Sequence, residues 1–417
     1  MNRTVLPGIR RGAVIPPASK SQAHRLLICA ALGDGETVLR CDGLSRDIEA
    51  TIRCLRAMGA EIEEEAGALR LRAIEKLPGK EIVLPCFESG STLRFLLPAV
   101  GALGLRAVFR MEGKLPQRPM TDLVRALSAQ GMEVRQEGGA LYASGRLRPG
   151  SFTLPGNVSS QYISGLLMAL PRLEGDSTLR VTGPVESADY IAMTEDALEK
   201  SGIQLEKTGQ DYRIPGLQRP RLPGELRVER DWSGAAFFLA LGAFSEEGVT
   251  VRDMDPSSRQ GDRRIVSLLR DFGAIVTEEN GDVTAKRGTL RSLDIDAGQI
   301  PDLVPVLSVL AAAAEGETRI IHAGRLRLKE SDRLETTAGM LSALGAEIRE
   351  TEDGLLIHGK PALTGGTTEA AGDHRIAMSA AVAAAVCQKE VTILGAECAA
   401  KSYPRFWEDL ESLEVNA

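Results

Sequence analysis

Aromatic residues make up only 4% of this 417-residue chain, too few to stack along a run of bases. An excess of basic charge is missing as well. Fifty Lys and Arg against 57 Asp and Glu leave a net charge of −7 and a pI near 5.5, the wrong sign for a protein built around a nucleic acid backbone. No predominantly apolar run reaches the ~18 residues of a membrane span. The opening MNRTVLPGIRRGAVIPP lacks the apolar core of a secretory signal. Cys29, Cys41, Cys54, Cys86, Cys387 and Cys398 are scattered, with no CxxC and no zinc spacing. They read as reduced, mostly buried thiols of a cytoplasmic protein. GxGxxG, Walker A, HExxH and a strand–helix GxSxG are all absent, so cofactor, metal and serine-hydrolase chemistry have no support. What is present, 43% hydrophobic and 26% charged residues, is a globular composition. The length predicts two domains of roughly 200 residues.

Two markers recur along the chain with one period. Short β-type runs ending in a turn (TVLRCDG, AVFRMEG, TLRVTG, VTVRDMD, TRIIHAG, VTILGAE) end at Gly43, Gly113, Gly183, Asp255, Gly324 and Glu397, in steps of 70, 70, 72, 69 and 73 residues. Amphipathic helices that stop on a glycine place Gly59, Gly131, Gly202, Gly273 and Gly345 in steps of 72, 71, 71 and 72. Glycine is the usual helix stop, and two short strands around a polar turn follow each one, as in IEEEAGALRLRA. A second helix in each unit, such as TLRFLLPAVGAL or AMSAAVAAAV, is apolar on nearly all faces and should be buried. These patterns predict an α/β protein of six βαβαββ-like repeats of about 70 residues, three per domain, with apolar helices inside and sheets outside.

The starts of the buried helices carry the chemistry. A helix N-terminus is electropositive and disfavours cations. Yet Lys20, His24 and Arg25 are expected in the first turn of one buried helix and Arg94 in that of another, while His374 and Arg375 open a third. A bound anion removes the conflict, since amides, dipole and cations then share one ligand. Ser19, Ser21, Ser89, Ser91, Ser159, Ser160, Gln161 and Ser233 mark the same places, and N-capping accounts for several of them. Ser21 and Arg25 are spaced i,i+4 and share a helix face. Asp302, after Pro301, reads either as an N-cap or as a base kept ionised by nearby cations. RLRLKESDRLE, with Lys329, Glu330, Asp332 and Arg333, is by composition a solvated helix start. Lys401, just before SYPRF, is by default a surface lysine. The residues alone thus predict a two-domain repeat protein whose cleft binds small polyanions, with a few acid–base groups and no cofactor.

SKSQAHRLLICAALG, ESGSTLRF, EGKLPQRPMTDL, NVSSQYISGLLMALP, ESADYIAMT, IPDLVPVLSVLAA, RLKESDRLE, AGDHRIAMSAA and CAAKSYPRFWEDL resemble, in order and over nearly the whole chain, the 5-enolpyruvylshikimate-3-phosphate (EPSP) synthase family. The resemblance implies an inverted two-domain α/β fold joined by two hinge strands, with one domain at 18–229 and the other formed by 1–17 with 230–417. It implies transfer of the enolpyruvyl group of phosphoenolpyruvate to the 5-hydroxyl of shikimate 3-phosphate, with release of phosphate, on the route to chorismate and aromatic amino acids. It further implies that Lys20, Ser21, Arg25, Ser159, Ser160, Gln161, Ser187, Asp302 and Lys329 bind shikimate 3-phosphate, with Tyr190 nearby. Lys20, Gly90, Arg118, Gln161, Arg333, Arg375 and Lys401 would bind phosphoenolpyruvate. Asp302 would accept the hydroxyl proton, and Glu330, with Lys20 or Lys329, would relay a proton to C3.

A monomer without metal, cofactor, nucleic acid or membrane partner is expected, and a target of glyphosate, the family's inhibitor at the phosphoenolpyruvate site. Departures from the family pattern are Glu88 for Asn, Arg325 for Asn or Glu, His24 for Asn, and a shorter GKLPQRP loop. The sister UDP-N-acetylglucosamine enolpyruvyl transferases have the same repeat architecture. None of the cysteines here occupies the GKLPQRP loop, however, and the SSQ and KSxxxR motifs favour shikimate phosphate. A non-catalytic anion-binding module would not be expected to keep Lys20, Asp302, Glu330, Arg333, Arg375 and Lys401 together.

Overall fold

A computed structural model describes residues 1–416. Twelve α-helices follow one another: α1 (Lys20–Leu32), α2 (Arg46–Met58), α3 (Gly90–Leu103), α4 (Thr121–Ala129), α5 (Ser160–Ala169), α6 (Ala188–Lys200), α7 (Trp232–Gly242), α8 (Ile265–Phe272), α9 (Val304–Ala313), α10 (Arg333–Ala343), α11 (His374–Ala383) and α12 (Phe406–Ser412). The odd-numbered helices are the apolar ones. Every residue of α7 but Ser233 is buried, as is every residue of α11. The even-numbered helices bury one stripe, and α2 is typical, with Ile48, Ile52, Leu55 and Met58 inward. It ends at Gly59, whose φ of 110° lies where a side chain would be strained.

The chain divides into two compact units, Ala18–Val228, and Met1–Pro17 with Glu229–Ala417. Each has its own hydrophobic core built on its three odd-numbered helices. One repeat rule holds in full in the second, third and fifth repeats. A strand runs into an odd helix, the next strand returns parallel to the first, and after the even helix a hairpin adds antiparallel to the second. In the second repeat Ile82–Phe87 pairs parallel with Ala107–Met111, which pairs antiparallel with Ala140–Ser144, itself paired with Glu133–Glu137. Six sheets of three to five strands result, outside helices that are buried.

Each unit closes by borrowing a strand. Glu225–Arg227 supplies the missing parallel partner of Glu36–Arg40 in the first repeat. In the other unit Ile9–Val14 does so for Val249–Val251, and Arg3–Val5 pairs with Val391–Leu394. The N-terminal segment thus belongs to the unit whose remainder begins at Glu229. The residue with left-handed backbone after the turn strand is Gly43, Gly113 and Gly183 in the first three repeats and Asp253, His322 and Gly395 in the last three. Asp253 and His322 tolerate that conformation without glycine, which hides the register from a search for glycines.

Among the described residues no helix is long and apolar enough to cross a membrane. No group of three His, Cys, Asp or Glu side chains that could hold a metal ion is found among them either.

Candidate active site

In the unit Ala18–Val228 the N-termini of α1, α3 and α5 carry the predicted anion-binding residues. Ser19, Ser89 and Ser159 are their N-caps, accepting from the amides of Gln22, Thr92 and Gln161. Lys20 opens α1 and lies 3.1 Å from the Asp47 carboxylate at the start of α2. His24, Arg25 and Arg94 lie in the second turn of their helices rather than the first, so of these four residues Lys20 alone stands at the electropositive end itself.

Arg25 is almost fully buried and held entirely by neutral oxygens. Its Nε donates to Thr194 Oγ1 at 2.7 Å, Nη1 to the Ser21 carbonyl at 2.6 Å and Nη2 to the Tyr190 carbonyl at 2.7 Å. The i,i+4 relation of Ser21 and Arg25 therefore works through the backbone carbonyl. Burial pushes the guanidinium down to about 10, a sign of a charge short of compensation.

Arg94 donates to Gln161 Oε1 at 2.7 Å and to the Pro119 carbonyl at 3.3 Å, and Gln161 Nε2 donates to Ser91 Oγ at 2.9 Å. This contact between α3 and α5 depends on Gly165, where a Cβ would strike the Arg94 carbonyl. Gly90 is equally constrained. A Cβ there would lie 2.7 Å from Arg118 Nη1 and 3.2 Å from Arg94 Nη1, so two guanidinium groups close over a bare Cα. Glu88 turns its carboxylate against Gly113, where no Cβ fits. Ser187, before α6, is buried at a left-handed φ of 54°, a conformation serine seldom adopts.

In the other unit, Arg333 opens α10 and is 1% exposed. Its Nε donates to Asp373 Oδ2 at 2.7 Å, Nη1 to Asp302 Oδ1 at 2.8 Å and Nη2 to Glu330 Oε2 at 2.6 Å. Arg375 Nη2 donates to Asp302 Oδ2 at 2.8 Å, and Lys329 Nζ lies 3.7 Å from Asp302 Oδ1. The segment 329–333 is therefore not the solvated face its composition suggests, since three carboxylates gather around one buried guanidinium. Lys401, at the end of a 3-10 turn (Ala396–Lys401), is buried rather than a surface lysine.

Asp302 is not an N-cap either. It sits in a 3-10 turn (Pro301–Leu303) before α9 and caps nothing. Ser233 does not cap α7, and Asp231 does, accepting from Gly234. Ser233 instead donates to Asp262. Arg325 donates to the Gly298 carbonyl at 3.4 Å.

Electrostatics follow from these contacts. Burial alone would raise Asp302, but Arg375, Lys329 and Arg333 outweigh it and hold its carboxyl well below the usual range. Burial lowers Lys329 to about 8 against the pull of Asp302, with Arg333 and Arg325 adding to the fall. Asp262, fully buried, is pushed up to about 7 by burial first and by Asp302 second. The site therefore holds an ionised carboxylate, an ammonium that titrates near neutrality and a nearby acid that does too.

Asp47, Thr194, Asp262 and Asp373 were not singled out from the sequence. Only Asp373 carries a local signal there, an aspartate just before the helix-opening His374–Arg375, where it caps α11.

Solved enolpyruvyl transferases have this fold. EPSP synthase from Acinetobacter baumannii matches with a TM-score of 0.82 at 27% identity, each chain covered completely. The enolpyruvyl transferase NikO from Streptomyces tendae matches with a TM-score of 0.79 at 19% identity over 100% of this chain and 97% of that one, a likeness of fold alone. In sequence, the 3-phosphoshikimate 1-carboxyvinyltransferase of Clostridium acetobutylicum is 42% identical over 98% of this chain and 96% of its own. That of Clostridium perfringens is 41% identical over 98% and 97%. The family model for EPSP synthase (3-phosphoshikimate 1-carboxyvinyltransferase) matches residues 8–410. The chain belongs to the EPSP synthase family.

Proposed function

We infer from this membership that the chain is a transferase of the shikimate pathway, moving the enolpyruvyl group of phosphoenolpyruvate to the 5-hydroxyl of shikimate 3-phosphate and releasing phosphate. The residue roles are our reading of the groups that each unit holds. Shikimate 3-phosphate is held by Lys20, Ser21, Arg25, Ser159, Ser160, Gln161 and Ser187, with Asp302 and Lys329 meeting its hydroxyls. Arg25 is the strongest anchor, because its buried charge has only neutral partners and a phosphate compensates it. Phosphoenolpyruvate is held by Lys20, Gly90, Arg118, Gln161, Arg333, Arg375 and Lys401. Asp302 takes the hydroxyl proton as that oxygen bonds to C2, while Glu330, with Lys20 or Lys329, delivers a proton to C3. The tetrahedral adduct then loses the C3 proton and expels phosphate. The protein's contribution is orientation and charge stabilisation.

The single observation that supports this assignment best is the pairing of Asp302 with Arg333 and Arg375. Clamped by cations, Asp302 is ionised but a weak base. Phosphoenolpyruvate, arriving at the same two arginines, competes for their charge and releases the carboxylate to act. The base thus gains strength when the second substrate is bound. A cytoplasmic monomer completes the reading, supported by six cysteines without a disulfide and a net charge of −7.

Phosphate release from purified protein tests the assignment, with each substrate omitted in turn and UDP-N-acetylglucosamine as substitute acceptor. Release requires both phosphoenolpyruvate and shikimate 3-phosphate. Asp302→Ala lowers kcat on the order of a thousandfold while the affinity for shikimate 3-phosphate changes far less. Full turnover in that variant would overturn the role of Asp302.

A further inference from the structure

One buried polar chain has no part in the roles above. His24 Nδ1 lies 2.7 Å from Thr51 Oγ1, Thr51 Oγ1 lies 2.7 Å from Thr92 Oγ1, and Thr92 Oγ1 donates to Ser89 Oγ at 2.8 Å. The four residues are at most 1% exposed. The chain runs from α1 across α2 to the N-cap of α3, beside Gly90.

Its polarity is determined by the histidine. Burial between Lys20 and Arg25 keeps the ring neutral, with its pKa pushed down to about 3 against the pull of Asp47, so it carries one N–H. His24 Nε2 is buried with no hydrogen-bond partner. A proton there would leave an orphaned buried donor, the costlier kind of unsatisfied group. It would also force Thr51 to donate back to Nδ1 and Thr92 to Thr51, leaving Thr92 no hydrogen for Ser89. With the proton on Nδ1 every bond runs one way, from His24 to Thr51 to Thr92 to Ser89. The alternative acceptor for Thr92, the Asp47 carbonyl, is at 3.5 Å, against 2.8 Å for Ser89. Ser89 Oγ then receives Thr92 Oγ1 and, at 3.3 Å, Thr92 N. Its own hydrogen donates in no hydrogen bond to the described residues, and Ser89 directly precedes Gly90 at the helix start. Arg118 and Arg94 close over the same helix end at Gly90.

We propose that Ser89 donates this hydrogen to an anionic oxygen of phosphoenolpyruvate at the N-terminus of α3, and that His24, Thr51 and Thr92 are positioning residues that hold the hydroxyl in its donor orientation. The proposal rests on the reading that puts phosphoenolpyruvate beside Gly90 and Arg118. It adds a neutral hydroxyl donor to a site made mostly of cations.

Steady-state kinetics on the full chain, varying each substrate in turn, test it. Ser89→Ala raises the KM for phosphoenolpyruvate on the order of tenfold, the loss of one charge-assisted hydrogen bond, and leaves the KM for shikimate 3-phosphate unchanged. Ser89→Thr restores wild-type values. Ser89→Gly separates the ligand contact from the cap, because glycine caps a helix with little loss of stability; it shows the same phosphoenolpyruvate defect with a near-normal melting temperature. Thr92→Val and His24→Phe give smaller rises, roughly two- to fourfold, since they loosen the orientation without removing the hydroxyl. Arg118→Ala serves as the reference for the site. If it raises the KM for phosphoenolpyruvate while Ser89→Ala and Ser89→Gly do not, the site stands and the donor role of Ser89 is wrong. Should none of the three change that KM, the placement of phosphoenolpyruvate at α3 is wrong and the proposal falls with it. Equal rises for both substrates in the serine variants would mean a structural role only.

Discussion

Arg25 and Arg333 are both buried arginines at the start of core or flanking helices, and their surroundings are opposite. Arg25 is surrounded by a hydroxyl and two peptide carbonyls, and burial lowers its pKa. Arg333 is gripped by Asp373, Asp302 and Glu330, which raise its pKa despite burial. An arginine held by neutral oxygens keeps its charge available for an incoming anion. One held by three carboxylates is already compensated, and it fixes the positions of those acids. The same residue type, on the same repeat architecture, is thus left with neutral partners in one unit and paired with carboxylates in the other.

Stability separates the two most sharply. Arg333→Met strands three carboxylates in a buried site and lowers unfolding free energy by about 3–5 kcal/mol. Arg25→Met removes an undercompensated buried charge and costs about 1 kcal/mol or less beyond packing. Urea midpoints of the two variants measure this, and comparable losses would break the comparison.

Binding should reverse the ranking. Arg25→Lys keeps a charge but loses the planar fork, and it raises the KM for shikimate 3-phosphate about 10- to 100-fold with a smaller effect on kcat. Arg333→Lys acts mainly on kcat. A shikimate-phosphate KM unmoved by Arg25→Lys would remove that residue from the binding site.

A further contrast is in the pH dependence of stability. Asp262 has a folded pKa raised to about 7 from 3.8. Between those values the unfolded chain has released the proton and the native chain has kept it, so stability falls as pH rises through this window and levels off above it. The contribution approaches about 1.4 kcal/mol per pH unit within the window, and Asp262→Asn removes it. Asp302, depressed by its cations, acts in the opposite sense. Its stabilisation is present above the unfolded value and is lost as pH falls through the folded one. Melting temperatures from pH 4 to 8 for wild type and Asp262→Asn check the first; an unchanged slope would show that Asp262 is not the titrating group.

Spacing and composition were enough to read the six-fold repeat, the buried helices and the outer sheets, because each repeat must bury one all-apolar helix and five of them stop another at a left-handed glycine. They also marked Lys20, Arg25 and Arg375, because cations near an electropositive helix end contradict local electrostatics and so demand a partner, and Asp302 as a carboxylate at a helix start. Local composition misled at Lys329–Arg333 and at Lys401, where a charged run reads as solvated. Only the packed structure showed that Arg333 and Lys401 are buried. Asp47 and Thr194 were decided by tertiary contact alone, since a carboxylate or hydroxyl that meets a cation 27 or 169 positions away leaves no periodic trace in the chain. The sequence by itself determined which elements form and where charge collects. The tertiary structure decided which of those charges are neutralised and which stay available, because pairing depends on distances of about 3 Å between residues that only the closed repeats bring together.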